Sequence, residues 1–337
     1  MDFKYFPLSD VQVQVRKPAW DGLMKKEAFG WAAVMSCPKP DVDQLSKHYP
    51  SAEEIPLVGP VGSNPEWDSM IRNQIRTLHL NAMSVYEDDT YPAINIPRSI
   101  HGQSQCIAQI FGCELIEQKS EPGLYYPVPW IQSPEDLKKL KLRSIDNSLI
   151  GKAIDFAAYA RAVTNNELAI RNPVMTGPID SANYILGTMQ LMQWIYDEPK
   201  ALHELLEQIT DIIIETITRL QTATGGSLCP DHCTCLPRGY TINSEVRSLI
   251  SLSMYNEFES PYLRKISQAC GPYMIHSCGT WEQMLPVDMQ DDNLVLVHFQ
   301  TKEMDLKKVY DYTHGKLSLY VGESINLTLT SHTLYPA

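Results

Sequence analysis

Several common signals are missing from this chain, and each absence narrows what it can do. No apolar run approaches the ~20 residues that a membrane-spanning helix needs. Met1-Asp2-Phe3-Lys4 opens no signal peptide, so the expected compartment is the cytoplasm and the expected membrane association is none. There is no GxGxxG or GxxxxGK[ST] loop to cradle a phosphate, which leaves nucleotide-dependent chemistry without support. Positive charge is scarce: 28 Lys+Arg stand against 40 Asp+Glu, a formal net charge of −12. That balance argues against nucleic acid and anionic membranes as partners. It also makes a heavily anionic substrate awkward unless cations cluster locally. No internal repeat, low-complexity tract or clear linker interrupts the sequence.

What is present reads as one globular unit. The 337 residues are 44% hydrophobic and 20% charged, enough to bury a large core. The eight cysteines (37, 106, 113, 229, 233, 235, 270 and 278), without an export signal, read as free thiols or ligands rather than a disulfide framework. Residues 1–90 are proline-rich and irregular, apart from an amphipathic helix over 67–83. From Tyr91 onward strands and helices alternate. Strands are expected at 93–96, 168–175, 225–229, 272–278, 293–299 and 316–321. Helices are expected at 101–111, 146–166, 180–195, 199–223, 253–270, 280–289 and 304–313. In 199–223 the buried stripe is Leu205, Leu206, Ile209, Ile212, Ile213 and Leu220. So many alternating units argue for a parallel sheet, and for a closed barrel over an open sheet.

The most informative stretch is Tyr273-Met274-Ile275-His276-Ser277-Cys278-Gly279-Thr280. Side chains two apart on a strand point the same way, so His276 and Cys278 face one pocket. Imidazole and thiolate are good zinc ligands. Thr280 and Gln283 read as a capping box that starts the next helix. The pair is also consistent with a buried strand-end histidine beside a cysteine acting as a small hydrophobe. The order strand, ligand pair, glycine, capped helix favours a site, because parallel barrels carry their active sites at that end of the strands.

From about Tyr91 to Leu327 the chain resembles the uroporphyrinogen decarboxylase-like superfamily. The resemblance rests on Thr176-Gly177-Pro178-Ile179-Asp180, Leu249-Ile250-Ser251, Tyr255-Asn256-Glu257-Phe258, Pro261 to Ile266, Ile275 to Gly279 and Met304 to Lys307. It implies a TIM-type (β/α)8 barrel over 91–337, with 1–90 as an N-terminal extension packed on it. True uroporphyrinogen decarboxylases carry an N-terminal Arg-Gln-Ala-Gly-Arg segment for the substrate carboxylates, and nothing here matches it. The other branch holds cobalamin-dependent methyltransferases, in which a His-x-Cys and a distant C-terminal Cys bind zinc. His276 and Cys278 match the first two of those ligands. The resemblance therefore implies zinc, a corrinoid (cobalamin) carried by a partner protein, and a small-molecule thiol or folate as methyl acceptor. The alternatives are a tetrapyrrole decarboxylase, for which Arg98, Arg238 and Arg247 are the available cations, and a degenerate, non-catalytic barrel.

One departure is plain: residues 279–337 contain no cysteine. The family pattern continues past 316–321 with another strand and helices that carry the third ligand. The barrel is accordingly expected to lack its closing strand and final helices, with the edge beside Leu317 to Val321 left open or filled by residues 323–337 or another subunit. Cys229 to Cys235 follows a strand and should lie at the same barrel end, where it reads either as a loop with incidental thiols, the simpler reading, or as a source of substitute ligands. Asp231 and Cys233 are the candidates there, and an Asp231, His276, Cys278 set leaves zinc an open position. Glu245 lies where relatives often have an acid, and reads either as a catalytic acid supporting the ligands or as a solvated loop residue. His298 closes the strand 293–299 and faces the same end, although a structural histidine is the simpler reading.

Overall fold

The computed structural model describes residues 4–26, 47, 49–84, 89–102, 106–231, 235–313 and 316–321. Nine strands occur among them: β1 (Ala93–Asn95), β2 (Glu114–Glu117), β3 (Tyr125–Val128), β4 (Ala169–Arg171), β5 (Leu228–Cys229), β6 (Tyr240–Asn243), β7 (Tyr273–His276), β8 (Leu294–Phe299) and β9 (Ser318–Val321). β2 and β3 form an antiparallel hairpin, whereas β1-β4-β5 and β6-β7-β8-β9 are parallel and neighbour one another in chain order. Parallel neighbours require a crossover, and helices supply it. The strands are buried on both faces, which is why they show little alternation in sequence. One face carries Ile94, Ile170, Tyr240, Ile242, Ile275 and Val297 into the main core beneath the helices. The opposite face carries Met274 and Leu296, against which Leu23 packs.

β5 has only two residues, and a side chain completes its work. The Asn172 amide accepts from the Thr241 backbone N–H at 3.0 Å and donates to the Thr241 carbonyl at 3.4 Å, as a neighbouring strand would. Just beyond, Thr176 bridges Asn243 in parallel, with Gly177 N–H donating to the Asn243 carbonyl at 2.7 Å. The two parallel sheets are thereby joined into one wall of seven strands. This is the TIM-type barrel architecture expected from the alternation. The edge expected to be open or refilled is that of β9, which among the described residues pairs with β8 alone; residues 323–337, expected as one way to fill it, lie outside the described residues.

The helices follow the sequence with some breaks. Pro199–Ala223 buries the expected stripe. The region expected as one helix over 180–195 is two, Pro178–Leu186 and Thr188–Asp197, because Gly187 adopts φ +83° between them. The 253–270 helix divides at Glu259, just before Pro261, into Leu252–Phe258 and Ser260–Cys270. Asp10–Lys25 is a helix that the proline-rich N-terminal sequence did not announce; a Ser9–Gln12 capping box starts it. Its end is tied by Lys26 Nζ to the Asp292 carbonyl, just before β8, so it approaches the barrel from the N-terminal ends of the strands. Among the described residues no helix is long and apolar enough to cross a membrane.

Candidate metal centre

The C-terminal ends of β6, β7 and β8 are level with one another. Asn243 is in register with His276, and His276 with His298. Glu245 follows β6 by two residues and Cys278 follows β7 by two, so each projects at the same end of the barrel. There the ligand atoms of Glu245, His276 and Cys278 all lie within 4.8 Å of one another. His276 Nε2 is 3.5 Å from Glu245 Oε1 and 3.7 Å from Cys278 Sγ. The second carboxylate oxygen of Glu245 accepts the Cys278 backbone N–H at 2.7 Å, which fixes the carboxylate between the two strands.

These spacings suit zinc. With bonds of about 2.3 Å to sulfur and about 2.0–2.2 Å to nitrogen and oxygen, a tetrahedral ion places its N and S ligands about 3.6 Å apart and its N and O ligands about 3.4 Å apart. Two anionic ligands and a neutral imidazole also balance the ion's charge, and three protein ligands leave a fourth position open. Without a metal the Cys278 thiol is pushed up to about 11, first by burial and then by the Glu245 carboxylate beside it. A cation is what would offset both effects.

The loop bearing Glu245 is held from beneath. Asp180, buried in the first turn of Pro178–Leu186, accepts the backbone N–H groups of Glu245 and Val246, each at 2.7 Å. Burial, and then the nearby Glu259, push its carboxyl up to about 8. Arg247 is fully buried and bonds Glu259 at 3.1 Å and Asp288 at 3.0 Å. Its guanidinium lies over the rings of Tyr255 and Trp281, 5.2 and 4.9 Å from their centroids. Glu259 also accepts from Ser244, and Asp288 from the Tyr255 hydroxyl. On the far side, Glu303 accepts the Gly279 N–H at 2.6 Å through its carboxylate and the Thr280 hydroxyl at 2.7 Å through its carbonyl.

The expected residues divide accordingly. His276 and Cys278 come together as their spacing required, and Glu245 joins them. Asp231 does not belong to the cluster. It follows β5 by two residues, where its backbone N–H donates to Thr241 Oγ1. β6, unread in the sequence, intervenes between β5 and β7, so those two strands are roughly 10 Å apart at about 4.8 Å per strand. Cys233 lies outside the described residues. The capping box at Thr280 is also corrected: its hydroxyl is committed to Glu303, and the segment is a short 3-10 turn, Glu282–Met284, followed by Leu285–Asp288. The three arginines do not converge. Arg247 is sequestered in its ion pairs, Arg98 pairs with Glu121 at the surface, and Arg238 is exposed. His298 does face the site, its ring 4.6 Å from that of His276 and 4.8 Å from that of Tyr320. Glu303 and Gln300 were missed because nothing local marks them, and Asp180 stood in the sequence only as part of the Thr176 to Asp180 motif, without a role at the site.

The sequence model of the uroporphyrinogen decarboxylase (URO-D) family matches residues 93–322. A methylated-thiol–coenzyme M methyltransferase from Methanosarcina mazei is 29% identical over 115 residues, 34% of this chain and 29% of that protein. A uroporphyrinogen decarboxylase from Danio rerio is 27% identical over 173 residues, 48% of this chain and 42% of that protein. The chain thus aligns with less than half the length of either curated relative. A solved structure of a methyltransferase from Methanosarcina mazei has the same fold, with a TM-score of 0.62 at 16% identity over 88% of this chain and 80% of that one. With more than half its length matched, the chain belongs to the uroporphyrinogen decarboxylase family.

Proposed function

We propose that this protein is a zinc-dependent methyltransferase-like enzyme that moves a methyl group between a corrinoid carried by a partner protein and a thiol or folate acceptor. The observation that carries this reading is the convergence of Glu245, His276 and Cys278 at zinc-ligand spacing where adjacent barrel strands end. Bound there, zinc would supply the charge that turns a thiol acceptor into its nucleophilic thiolate at neutral pH. Glu245 supplies a carboxylate donor beside the imidazole of His276 and the thiolate of Cys278. A carboxylate preserves the charge of the ligand set but donates less electron density than a thiolate, leaving the metal more electrophilic. Asp180 and Arg247 keep the Glu245 loop rigid, so the site is preorganised rather than assembled on binding. The barrel's acidic balance suits a weakly charged acceptor better than a polycarboxylate. The decarboxylase alternative needs cations free to meet carboxylates at the pocket, whereas Arg247 is buried in its ion pairs and Arg98 pairs with Glu121.

The test is the metal content of protein purified without chelator, followed by methyl transfer from methylcobalamin to a panel of thiols. About one zinc per chain is expected. Glu245→Ala should lower zinc affinity by more than the roughly 10–100-fold typical of losing a residue that merely supports a ligand, while Asp231→Ala should leave it unchanged. Zinc-free wild-type protein, or zinc content indifferent to His276→Ala combined with Cys278→Ala, ends this reading. Zinc binding with no turnover for any acceptor would instead favour a non-catalytic barrel.

A further inference from the structure

The ladder that sets His276 beside His298 ends at that pair, with the Ser277 N–H still donating to the His298 carbonyl at 3.3 Å. Cys278 stands two residues beyond His276, and Gln300 two beyond His298, directly after β8. Strand alternation turns His298 and Gln300 to one side and buries Phe299 on the other. Gln300 Nε2 accordingly reaches Cys278 Sγ at 3.6 Å, within the range of an N–H···S hydrogen bond. Three residues later Glu303 clamps Gly279 and Thr280, which holds the Cys278 loop over the Gln300 side chain. Cys278 is therefore gripped on both sides: its backbone N–H donates to Glu245, and its sulfur accepts from Gln300.

We propose that Gln300 is a positioning residue for the metal centre, donating a hydrogen bond to the Cys278 sulfur and thereby reducing the electron density which that sulfur gives to the ion. The inference rests on the zinc reading above. An amide donor at a coordinated thiolate takes up part of its negative charge, which makes the metal a stronger acceptor for an incoming thiol and orients the sulfur lone pairs. Glutamine suits this role because its amide is neutral at every working pH, so it can donate without competing as an anionic ligand.

Cobalt(II) replaces zinc for the test, because its sulfur-to-metal charge-transfer band reports electron density on the ligand sulfur. Wild-type, Gln300→Leu and Gln300→Asn proteins are loaded with cobalt and their near-ultraviolet and visible spectra compared, alongside cobalt affinity by competition with a chromophoric chelator. Leucine keeps the bulk and removes the donor; asparagine keeps the amide but shortens its reach. The expected result is a charge-transfer band moved to longer wavelength in both variants, with the visible bands of four-coordinate cobalt retained and affinity lowered by no more than the roughly 10–100-fold typical of losing a residue that supports a ligand. An unmoved band in cobalt-loaded Gln300→Leu overturns the donor role while leaving the metal centre intact. Wild-type protein with no thiolate-to-cobalt band refutes the metal centre itself, and this inference falls with it. Should the leucine variant fail to fold, the band position in the asparagine variant decides the donor role in the same way.

Discussion

Removing the Arg247 guanidinium should destabilise the protein severely and in a pH-dependent way. The side chain is wholly buried, bonded to Glu259 and Asp288 at 3.1 and 3.0 Å, and flanked by Tyr255 and Trp281. Arg247→Met preserves most of the apolar stem but strands two buried carboxyl groups. Breaking a buried ion pair by deleting one partner costs about 3–5 kcal/mol, and the lost ring contacts add about 0.5–2 kcal/mol. At about 2–4 °C per kcal/mol for chains approaching this size, the melting temperature should fall by roughly 10 °C or more. Burial already pushes the carboxyls of Glu259 and Asp288 up, with Arg247 the first influence pulling each back down. Without it they rise further. A carboxyl whose folded pKa lies above its unfolded value contributes fully below the unfolded value and loses that contribution as pH climbs towards the folded one. The deficit of Arg247→Met relative to wild type should therefore widen from pH 5 to pH 8. Equilibrium urea unfolding at both values measures it. A deficit below about 1 kcal/mol, the value of an exposed pair, or one equal at both pH values, would refute the argument.

Two further outcomes follow from the same region. Gly279 has φ +79°, and a Cβ there would lie 2.7 Å from Ser248 Cβ, whereas Gly271 has φ +85° with open space around it. Gly279→Ala should thus cost more than the backbone strain of about 1–3 kcal/mol, Gly271→Ala only that strain, and only the former should weaken zinc retention; equal thermal shifts would contradict the packing account. In metal-free protein the Cys278 thiol, pushed up to about 11, should be alkylated slowly at pH 7 and about tenfold faster per pH unit up to pH 10, read by mass spectrometry of its peptide. A rate that levels off below pH 9 would show that burial and Glu245 do not hold the proton on, and added zinc should suppress the reaction throughout.

His276 and Cys278 were legible in the chain because their juxtaposition is local: His276 ends β7 and Cys278 follows two residues later, so their side chains meet whatever that strand pairs with. The buried stripe of Pro199–Ala223 was legible for a similar reason, since a 3.6-residue repeat is carried within the helix itself. The alternation of strands and helices was enough to indicate a parallel barrel. β6 escaped notice because Tyr240-Thr241-Ile242-Asn243 is short and buried on both faces, which erases the two-residue pattern that marks a strand. Missing it made Asp231 a reasonable third ligand, although β6 separates it from His276. Glu245 could be named from the sequence, but its place against the ligand pair depends on the register of Asn243 with His276, and the place of Gln300 on that of His276 with His298. Such registers are set by packing and backbone pairing between segments some 20 to 30 residues apart, and no local pattern encodes them. The sequence by itself therefore determined the fold class and paired His276 with Cys278, while only the tertiary structure brought Glu245 to them, together with the buried Asp180 and Arg247 that hold its loop in place.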